Sequence, residues 1–419
     1  MTDTISTHDR DVLRRLAERK ASIAADPVNL ERRDLWYRHD ADTSGRPMVL
    51  AEIGGIRDRV LPIPESSYEC TNPWARGLEQ RLRFEIYQFD VLRDDHVVEP
   101  TMEVNWKVDV SDYGVQPTFY HTQNEGHLAA RRWDPALADL DRDFARLRPR
   151  TYCVDRQATQ AEQERLERVF AGILPVRIRG GFWWTLGMTW TAIELIGLDN
   201  LMLSMYDNPQ GLHRLMAFLR DDSLRYASWL EAEGLLGLNN ENDYIGSGSM
   251  GYTRALPAAG WQPGAPVRTL DQWVLLESQE TVGVGPDQFA EFVFPYQQEI
   301  ARRFGRVYYG CCEPVHTRLH VLRQLPNLER ISVSPWADEA QMARHLGPRV
   351  VISRKPSPTL VSTRVFDEDA ILADLRHTLD VTRGCRVELI MKDVHTLNDE
   401  PGRLPRWVEL ARRATDERG

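Results

Sequence analysis

The chain lacks the features of a membrane or secreted protein. No apolar run approaches the roughly 18 residues that a membrane-spanning helix needs. The first six residues have no basic segment followed by an apolar one, so a secretory signal is not expected. Only five of the 419 residues are cysteine, a small and odd number that is typical of a reducing compartment. We therefore expect a cytoplasmic protein with no membrane partner.

An excess of positive charge is also missing. The chain has 62 acidic residues against 52 lysines and arginines, which gives a formal net charge of -10. Nucleic acids and anionic membranes attract basic surfaces, so this balance argues against either as the main partner. Hydrophobic residues make up 42% of the chain, enough for a sizeable core, and no internal repeat is visible. These properties favour a soluble enzyme that acts on a small-molecule substrate.

Extended apolar segments alternate with helical ones along most of the chain. Eight such segments end in polar residues: 94–106, 174–181, 236–244, 272–280, 306–312, 329–336, 349–356 and 386–395. Regular alternation predicts a parallel sheet, and eight units predict a closed barrel. We therefore predict the α/β fold class, with a (β/α)8 TIM barrel and long βα loops over residues 91–419. Residues 1–90 are predicted to form an N-terminal helical extension that packs on this barrel.

The most informative stretch is residues 306–316, which reads RVYYGCCEPVH. It predicts a buried strand that ends at a glycine and is followed by Cys311, Cys312, Glu313 and His316. Thiols, carboxylates and imidazoles are the groups that hold zinc-type ions. One cluster is not a complete zinc signature, so two buried cysteines beside a surface glutamate and histidine remain the alternative. A disulfide between adjacent cysteines would be strained, since their Cα atoms are about 3.8 Å apart.

With these elements in place, residues 170–412 resemble the uroporphyrinogen decarboxylase superfamily. The helical stretch 289–296 looks like the superfamily's helix ahead of strand five. Residues 307–312 lie where its methyltransferases carry a His-x-Cys-Gly strand end, and residues 338–358 resemble another of its stretches. The superfamily includes decarboxylases and zinc-dependent methyltransferases that move methyl groups from corrinoid proteins or folates to thiols. The resemblance is closer to the methyltransferase branch.

The metal site implied by this resemblance is a modified one. Cys311 takes the place of the cysteine, Tyr309 stands where the histidine would be, and His395 falls near the late cysteine. The resemblance therefore implies zinc bound by Cys311, His395 and an acid such as Glu280, with Cys312 as an alternative ligand. The hallmarks of the decarboxylases that bind porphyrinogens are not recognisable.

The activity implied is a metal-dependent methyltransferase. A methyl group would move from a corrinoid protein, a folate or a small methylated donor to a thiol-like acceptor. Four residues at the predicted strand ends are the catalytic candidates: Glu277, Lys355, Lys392 and Asp393. Four more are the substrate-binding candidates: Arg179, Glu241, Asn242 and Trp336. Arg179, Lys355 and Lys392 would hold carboxylates of the donor, and Asp393 or Glu277 would accept a proton.

Two further expectations concern partners. The chain has no Asp-x-His-x-x-Gly stretch of a corrinoid-binding module, so a corrinoid route requires a separate corrinoid protein. A homodimer is expected as the assembly. Two alternative functions stay open on the same barrel. One is a metal-independent decarboxylase or lyase of a small carboxylated substrate, and the other is a non-catalytic barrel that binds a partner. In the metal-independent alternative, both cysteines are structural, and Lys392 beside Asp393 could equally be a local ion pair.

Overall fold

A computed structural model describes residues 5–42, 45–121 and 131–417, in which helices alternate with short strands. The helices are α1 Thr7–Ala24, α2 Pro27–Ala41, α3 Pro73–Tyr87, α4 Leu140–Asp143, α5 Arg156–Phe170, α6 Thr189–Ile196, α7 Leu198–Asp207, α8 Pro209–Ala232, α9 Pro286–Phe292, α10 Phe294–Ala301, α11 Leu319–Leu322, α12 Glu339–Leu346, α13 Thr359–Ser362, α14 Glu368–Val381 and α15 Arg403–Asp416. The strands are β1 Met48–Ala51, β2 Met102–Val104, β3 Lys107–Val110, β4 Thr118–His121, β5 Arg131–Asp134, β6 Tyr152–Asp155, β7 Val176–Ile178, β8 Tyr244–Gly246, β9 Ser249–Met250, β10 Trp273–Leu276, β11 Arg306–Tyr309, β12 Leu328–Val333, β13 Val351–Arg354 and β14 Val387–Met391.

A parallel sheet of six strands carries the fold. Its order is β1-β14-β13-β12-β11-β10, and every pairing within it is parallel. Strands β10, β11, β13 and β14 lie inside the segments 272–280, 306–312, 349–356 and 386–395, and β12 begins one residue before the segment 329–336, so the sequence located all five. They read as near-continuous apolar runs because helices cover a parallel sheet whose strands are buried on both faces. The predicted α/β class is confirmed at this level.

The two faces of this sheet differ in polarity. One face packs Val307, Tyr309, Ile331 and Ile352 into the largest apolar cluster, together with side chains of the covering helices. Each fully buried apolar side chain of this kind contributes about 1.5–3 kcal/mol. The other face carries hydrogen-bonded polar side chains: Tyr308, Arg330, Ser353, Lys355 and Glu388. This polar face leads towards the carboxyl ends of the strands.

Strand β1 belongs to the sheet rather than to a separate extension. Its register pairs Met48 with Glu388 and Ala51 with Met391, at the edge of β14. Its other edge is held by Asp94 and Asp95, whose carboxylates accept hydrogen bonds from the Ala51 N–H at 2.9 Å and the Val49 N–H at 2.7 Å. The predicted division at residue 90 therefore places one strand of the sheet inside the predicted extension.

The remaining parallel pairing stands apart from the six-stranded sheet. Strand β2 pairs with β7, with Glu103 opposite Arg177, so the predicted segments 94–106 and 174–181 each contribute only three strand residues. The predicted closed barrel of eight strands is not shown by these two sheets. The structure establishes a mixed α/β fold with a parallel sheet of six strands.

The predicted strand at 236–244 is wrong for most of its length. Only Tyr244 begins a strand, and that strand, β8, is antiparallel to β9. The physical reason lies at Asn239, whose side-chain amide donates to the Trp273 carbonyl at 3.0 Å and accepts from the Trp273 N–H at 2.8 Å. A side-chain amide therefore satisfies the edge of β10 where a backbone ladder was expected.

Several helices are amphipathic, α1, α5 and α15 among them. Helix α15, for example, buries Leu404, Trp407, Val408 and Leu410 while its other side stays charged. In the described ranges, no helix combines the length and the apolar character that crossing a membrane would require.

Candidate functional site

The Cys311–Cys312 pair lies directly after β11. Gly310 adopts a φ of +93°, a left-handed conformation that favours glycine, and turns the chain out of the strand. The carboxylate of Glu313 then accepts hydrogen bonds from the Cys311 N–H at 2.8 Å and the Ser278 N–H at 3.0 Å. This clamp joins the carboxyl ends of β10 and β11, and it leaves the two sulfur atoms 3.5 Å apart.

A second set of polar groups reaches these thiols from the end of β14. The Oδ2 atom of Asp393 lies 3.7 Å from the sulfur of Cys312. The ammonium of Lys392 donates to the hydroxyl of Ser247 at 3.1 Å, and that hydroxyl lies 3.7 Å from the sulfur of Cys311. The structure thus brings four predicted residues to one place, namely Cys311, Cys312, Lys392 and Asp393.

The two thiols differ in acidity. The hydrogen bond from Cys312 is the largest influence that lowers the pKa of Cys311, and Lys392 and Ser247 act in the same direction against the opposing effect of burial. The same hydrogen bond raises the pKa of Cys312. Cys311 is therefore the thiol that ionises first. Cys312 keeps its proton, which can be donated to the Cys311 sulfur or to the Asp393 carboxylate.

Lys355 lies beneath the thiols as a buried group. Its ammonium donates to the Tyr308 hydroxyl at 2.7 Å and to the Ser353 carbonyl and hydroxyl at 2.9 and 2.6 Å. Burial lowers the pKa of Lys355 to about 7, although Glu388 opposes this effect. Its three hydrogen bonds join β11 to β13, so Lys355 supports the floor of the site in this conformation.

Sequence reasoning missed three residues of the site: Glu52, Tyr244 and Ser247. The Tyr244 hydroxyl donates to the Glu52 carboxylate at 3.2 Å and accepts from the Gly248 N–H at 2.7 Å. Burial lowers the pKa of Lys392, but Tyr244 and Glu52 outweigh it and raise the pKa overall. The available signal was an apolar run at 48–51 that ends on Glu52, the pattern seen at the other strand ends.

Two acidic residues lie on the β10 side. The pKa of Glu277 is raised well above its ordinary value, chiefly by burial and then by the neighbouring Glu280 and Glu313 carboxylates. The raised pKa favours the protonated form of Glu277 and makes it a better proton donor than an ordinary glutamate. Glu280 accepts from the Thr189 hydroxyl at 2.6 Å, and its other oxygen is buried without a hydrogen-bond partner.

Two of the predicted substrate-binding residues, Arg179 and Asn242, belong to a separate polar network after β2 and β7. Arg179 contacts Glu99 and Glu103 at 2.7 Å each and Asp243 at 3.2 Å. Burial raises the pKa of Asp243 to about 6. A cavity of about 270 Å³ is lined by Arg179, Asn242, Asp243 and Tyr244 among others, so this network adjoins the loop of Ser247 through Tyr244.

The other two predicted substrate-binding residues lie at the surface. Glu241 is exposed, and its carboxylate lies 3.9 Å from Arg177. Trp336 follows β12 and is 70% exposed. Within the described residues, neither side chain forms a hydrogen bond with Cys311, Cys312, Lys392 or Asp393.

The predicted zinc ligands are brought together only in part. Cys311 and Cys312 fit as a pair of thiolate donors, and Asp393 is the nearest carboxylate to Cys312. His395 is exposed and its Nδ1 lies 3.3 Å from the Gly55 carbonyl oxygen, while Glu280 is engaged with Thr189. Across residues 5–42, 45–121 and 131–417, no group of three or more His, Cys, Asp or Glu side chains is arranged to hold a metal ion.

Comparisons with known proteins add one finding. No protein-family model and no curated protein matches the chain. Among solved structures, a methyltransferase from Methanosarcina mazei is similar over 90% of this chain and 96% of that chain, with 13% sequence identity and a TM-score of 0.48. At that identity and TM-score, the chemistry of this chain has to be argued from its own residues.

Proposed function

We propose that the protein is a methyltransferase that transfers a methyl group to a thiol-like acceptor at the Cys311–Cys312 pair. The observation that carries this proposal is the meeting of two thiols, a carboxylate and an ammonium at the carboxyl ends of β11 and β14. Such strand ends are where parallel α/β folds place their reactive groups.

The chemistry of the step follows from these groups. The thiolate of the acceptor attacks the methyl carbon of the donor. A sulfur–carbon bond forms, the bond between the methyl carbon and the donor breaks, and its electron pair stays with the donor. Asp393, whose carboxylate lies 3.7 Å from the Cys312 sulfur, is placed to take the proton of an acceptor thiol that binds beside the pair. Lys392 holds positive charge beside the Cys311 sulfur and stabilises the thiolate form of Cys311. The donor in this proposal is a corrinoid protein, a folate or a small methylated compound.

Zinc belongs to the same proposal. Cys311 and Cys312 would hold the ion, and zinc bound there would act as a Lewis acid that lowers the pKa of a thiol acceptor. Glu280 and His395 would have to leave their present hydrogen bonds to join them.

A closed (β/α)8 barrel is the architecture that we propose for this site. Hydrogen bonds at both edges of the six-stranded sheet support closure. The carboxylates of Asp94 and Asp95 accept from N–H groups of β1, and the side chain of Asn239 accepts from an N–H group of β10. If the parallel pair β2 and β7 closes the gap between the β1 edge and the β10 edge, the barrel has eight parallel strands.

The test is an assay of methyl transfer with matched cysteine variants. The purified protein is mixed with a simple thiol and either methylcobalamin or methyltetrahydrofolate, and the methylated thiol is measured by mass spectrometry. We expect turnover by the wild type, loss in Cys311→Ser, and wild-type turnover in Cys153→Ser, since Cys153 is exposed elsewhere. Zinc is measured in the same samples. Equal turnover in Cys311→Ser and Cys312→Ser variants and the wild type would refute the proposal.

A further inference from the structure

A second cleft lies at the opposite end of β1 from the thiols. It has a volume of about 600 Å³ and is bounded by α2, the segment 91–93 and α15. Arg46, which precedes β1, lies in its wall, whereas Cys311 and Lys392 follow the carboxyl ends of their strands. In a parallel sheet these are opposite ends, so the cleft is separate from the proposed methyl-transfer site.

The wall of this cleft is rich in arginine. Five arginines line it: Arg32, Arg38, Arg46, Arg93 and Arg412. Two glutamates also line it, Glu31 and Glu409, and Glu409 is paired with Arg406 at 2.7 Å. Even when the buried Asp95 beneath the cleft is counted with them, the cations remain in excess. This local balance is opposite in sign to the net charge of the chain.

One carboxylate serves two of these arginines. The Oδ1 atom of Asp95 lies 2.7 Å from Arg46 and 2.9 Å from Arg412, and Asp95 is fully buried. The two guanidinium groups are thus held in fixed positions by a group below the cleft. Fixed guanidinium groups with donors left over are suited to oxyanions, whose geometry they match in pairs.

Arg32 supplies the most specific observation. Only 7% of it is exposed, it donates to the His96 carbonyl at a long 3.4 Å, and its guanidinium stacks 4.9 Å from the centre of the Phe89 ring. In the part of the chain that the structure describes, Arg32 forms no direct ion pair with a carboxylate, and the attraction of Asp94 and Asp95 does not outweigh the effect of burial, so its pKa is lowered. A buried cation without a partner is costly unless an anion compensates it.

We propose that this cleft is a binding site for a small polyanion that carries phosphate-type or carboxylate oxyanion groups. The cleft has room for such a molecule, and Leu35, Leu92 and Val408 give it apolar walls beside the arginines. The bound anion contacts Arg32 and completes the pairing that Arg46 and Arg412 have only in part. The site does not depend on the proposed methyl transfer.

The test measures binding directly on the full-length protein. Inorganic pyrophosphate and citrate are titrated separately by isothermal calorimetry, and the thermal midpoint is followed in parallel. We expect one of the two probes to bind in a 1:1 ratio and to raise the thermal midpoint, and the tighter probe identifies the phosphate or the carboxylate chemistry. Absence of binding by both probes would overturn the proposal.

Variants make the assignment specific to this cleft. Arg32→Met is expected to weaken binding about tenfold or more, because it removes a charge-assisted hydrogen bond. Arg38 lies at the exposed rim of the cleft, so Arg38→Gln should also weaken binding without disturbing the interior. This variant replaces Arg32→Met in the test if Arg32→Met does not fold. Arg383→Gln removes an equal charge from an exposed arginine that does not line the cleft and should leave binding unchanged. Equal weakening by Arg383→Gln and Arg38→Gln would also overturn the proposal.

Discussion

The sulfur atoms of Cys311 and Cys312 lie 3.5 Å apart, and the thiol of Cys312 is placed to donate its proton to Cys311. A hydrogen bond to a thiolate favours the ionised form. Cys312→Ala is therefore expected to raise the pKa of Cys311, and Lys392→Met to raise it as well. The measurement is the pH titration of thiolate ultraviolet absorbance in a Cys153→Ser background, which removes an exposed cysteine from the signal. An unchanged titration in both variants would contradict this account of the pair.

The buried ammonium of Lys355 should make stability depend on pH. The pKa of Lys355 is about 7 in the folded protein and 10.5 is its ordinary value. Between these values the unfolded chain binds one more proton, so stability from this group rises with pH, by up to about 1.4 kcal/mol per unit. Denaturant unfolding from pH 7 to pH 9 should show this rise in the wild type relative to Lys355→Met. Lys107 is exposed, so Lys107→Met is the control and should keep the wild-type pH dependence. A difference in unfolding free energy between wild type and Lys355→Met that does not change with pH, or an equal loss of pH dependence in Lys107→Met, would contradict the prediction.

Asp95 should be a major contributor to stability. Burial would raise its pKa, but Arg46 and Arg412 lower it to about 2. Asp95→Asn leaves two guanidinium groups without their shared carboxylate and is expected to cost about 3–5 kcal/mol in urea unfolding at neutral pH. The exposed pair Asp380–Arg383 provides the control, since Asp380→Asn should cost less than about 1 kcal/mol.

The lowered pKa of Asp95 also predicts that the free energy of unfolding falls in acid. A lowered pKa stabilises the fold above the ordinary value of 3.8, and this contribution is lost as pH falls from there towards 2. The wild type should therefore lose stability relative to Asp95→Asn in this window. A constant difference across acid pH would show that the Asp95 carboxylate is not held in the ionised state.

The loop after β8 gives a test of site geometry. Gly248 has a φ of +87°, and a Cβ atom there would lie 2.5 Å from the Ile390 side chain. Gly260 has a φ of +88° with no atom within 4 Å, so it reproduces the backbone strain without the clash. Gly248→Ala should be less stable than Gly260→Ala by about 1–3 kcal/mol in denaturant unfolding. It should also displace Ser247 and raise the pKa of Cys311. Equal stability of the two variants would contradict the close packing on β14.

The sequence was most informative where burial is greatest. The segments that contain β10 to β14 were located because a strand covered on both faces reads as an apolar run that ends in polar residues. The same rule predicted that Cys311, Cys312, Lys392 and Asp393 lie near one another at strand ends. It required no knowledge of which strands pair.

The errors arose where side chains replace backbone pairing. Residues 236–244 have the composition of a strand, but the side-chain amide of Asn239 bonds to the backbone of Trp273. A pattern of apolar residues does not reveal that a side chain takes the place of backbone pairing. Ser247 reaches the Cys311 thiol and Tyr244 reaches Glu52 from a short hairpin, so the role of both depends on how a loop folds back. Strand β1 was placed in the extension because its partner, β14, lies near the other end of the chain.

The pairing of Met48 with Glu388 has a consequence for synthesis of the protein. During translation β1 leaves the ribosome long before β14 exists, so one edge of β1 waits without its partner until the final segments emerge. The sheet cannot be finished from its first half alone. A nascent chain arrested ahead of β14 should remain sensitive to protease around residues 48–51 and should depend on chaperones for its solubility.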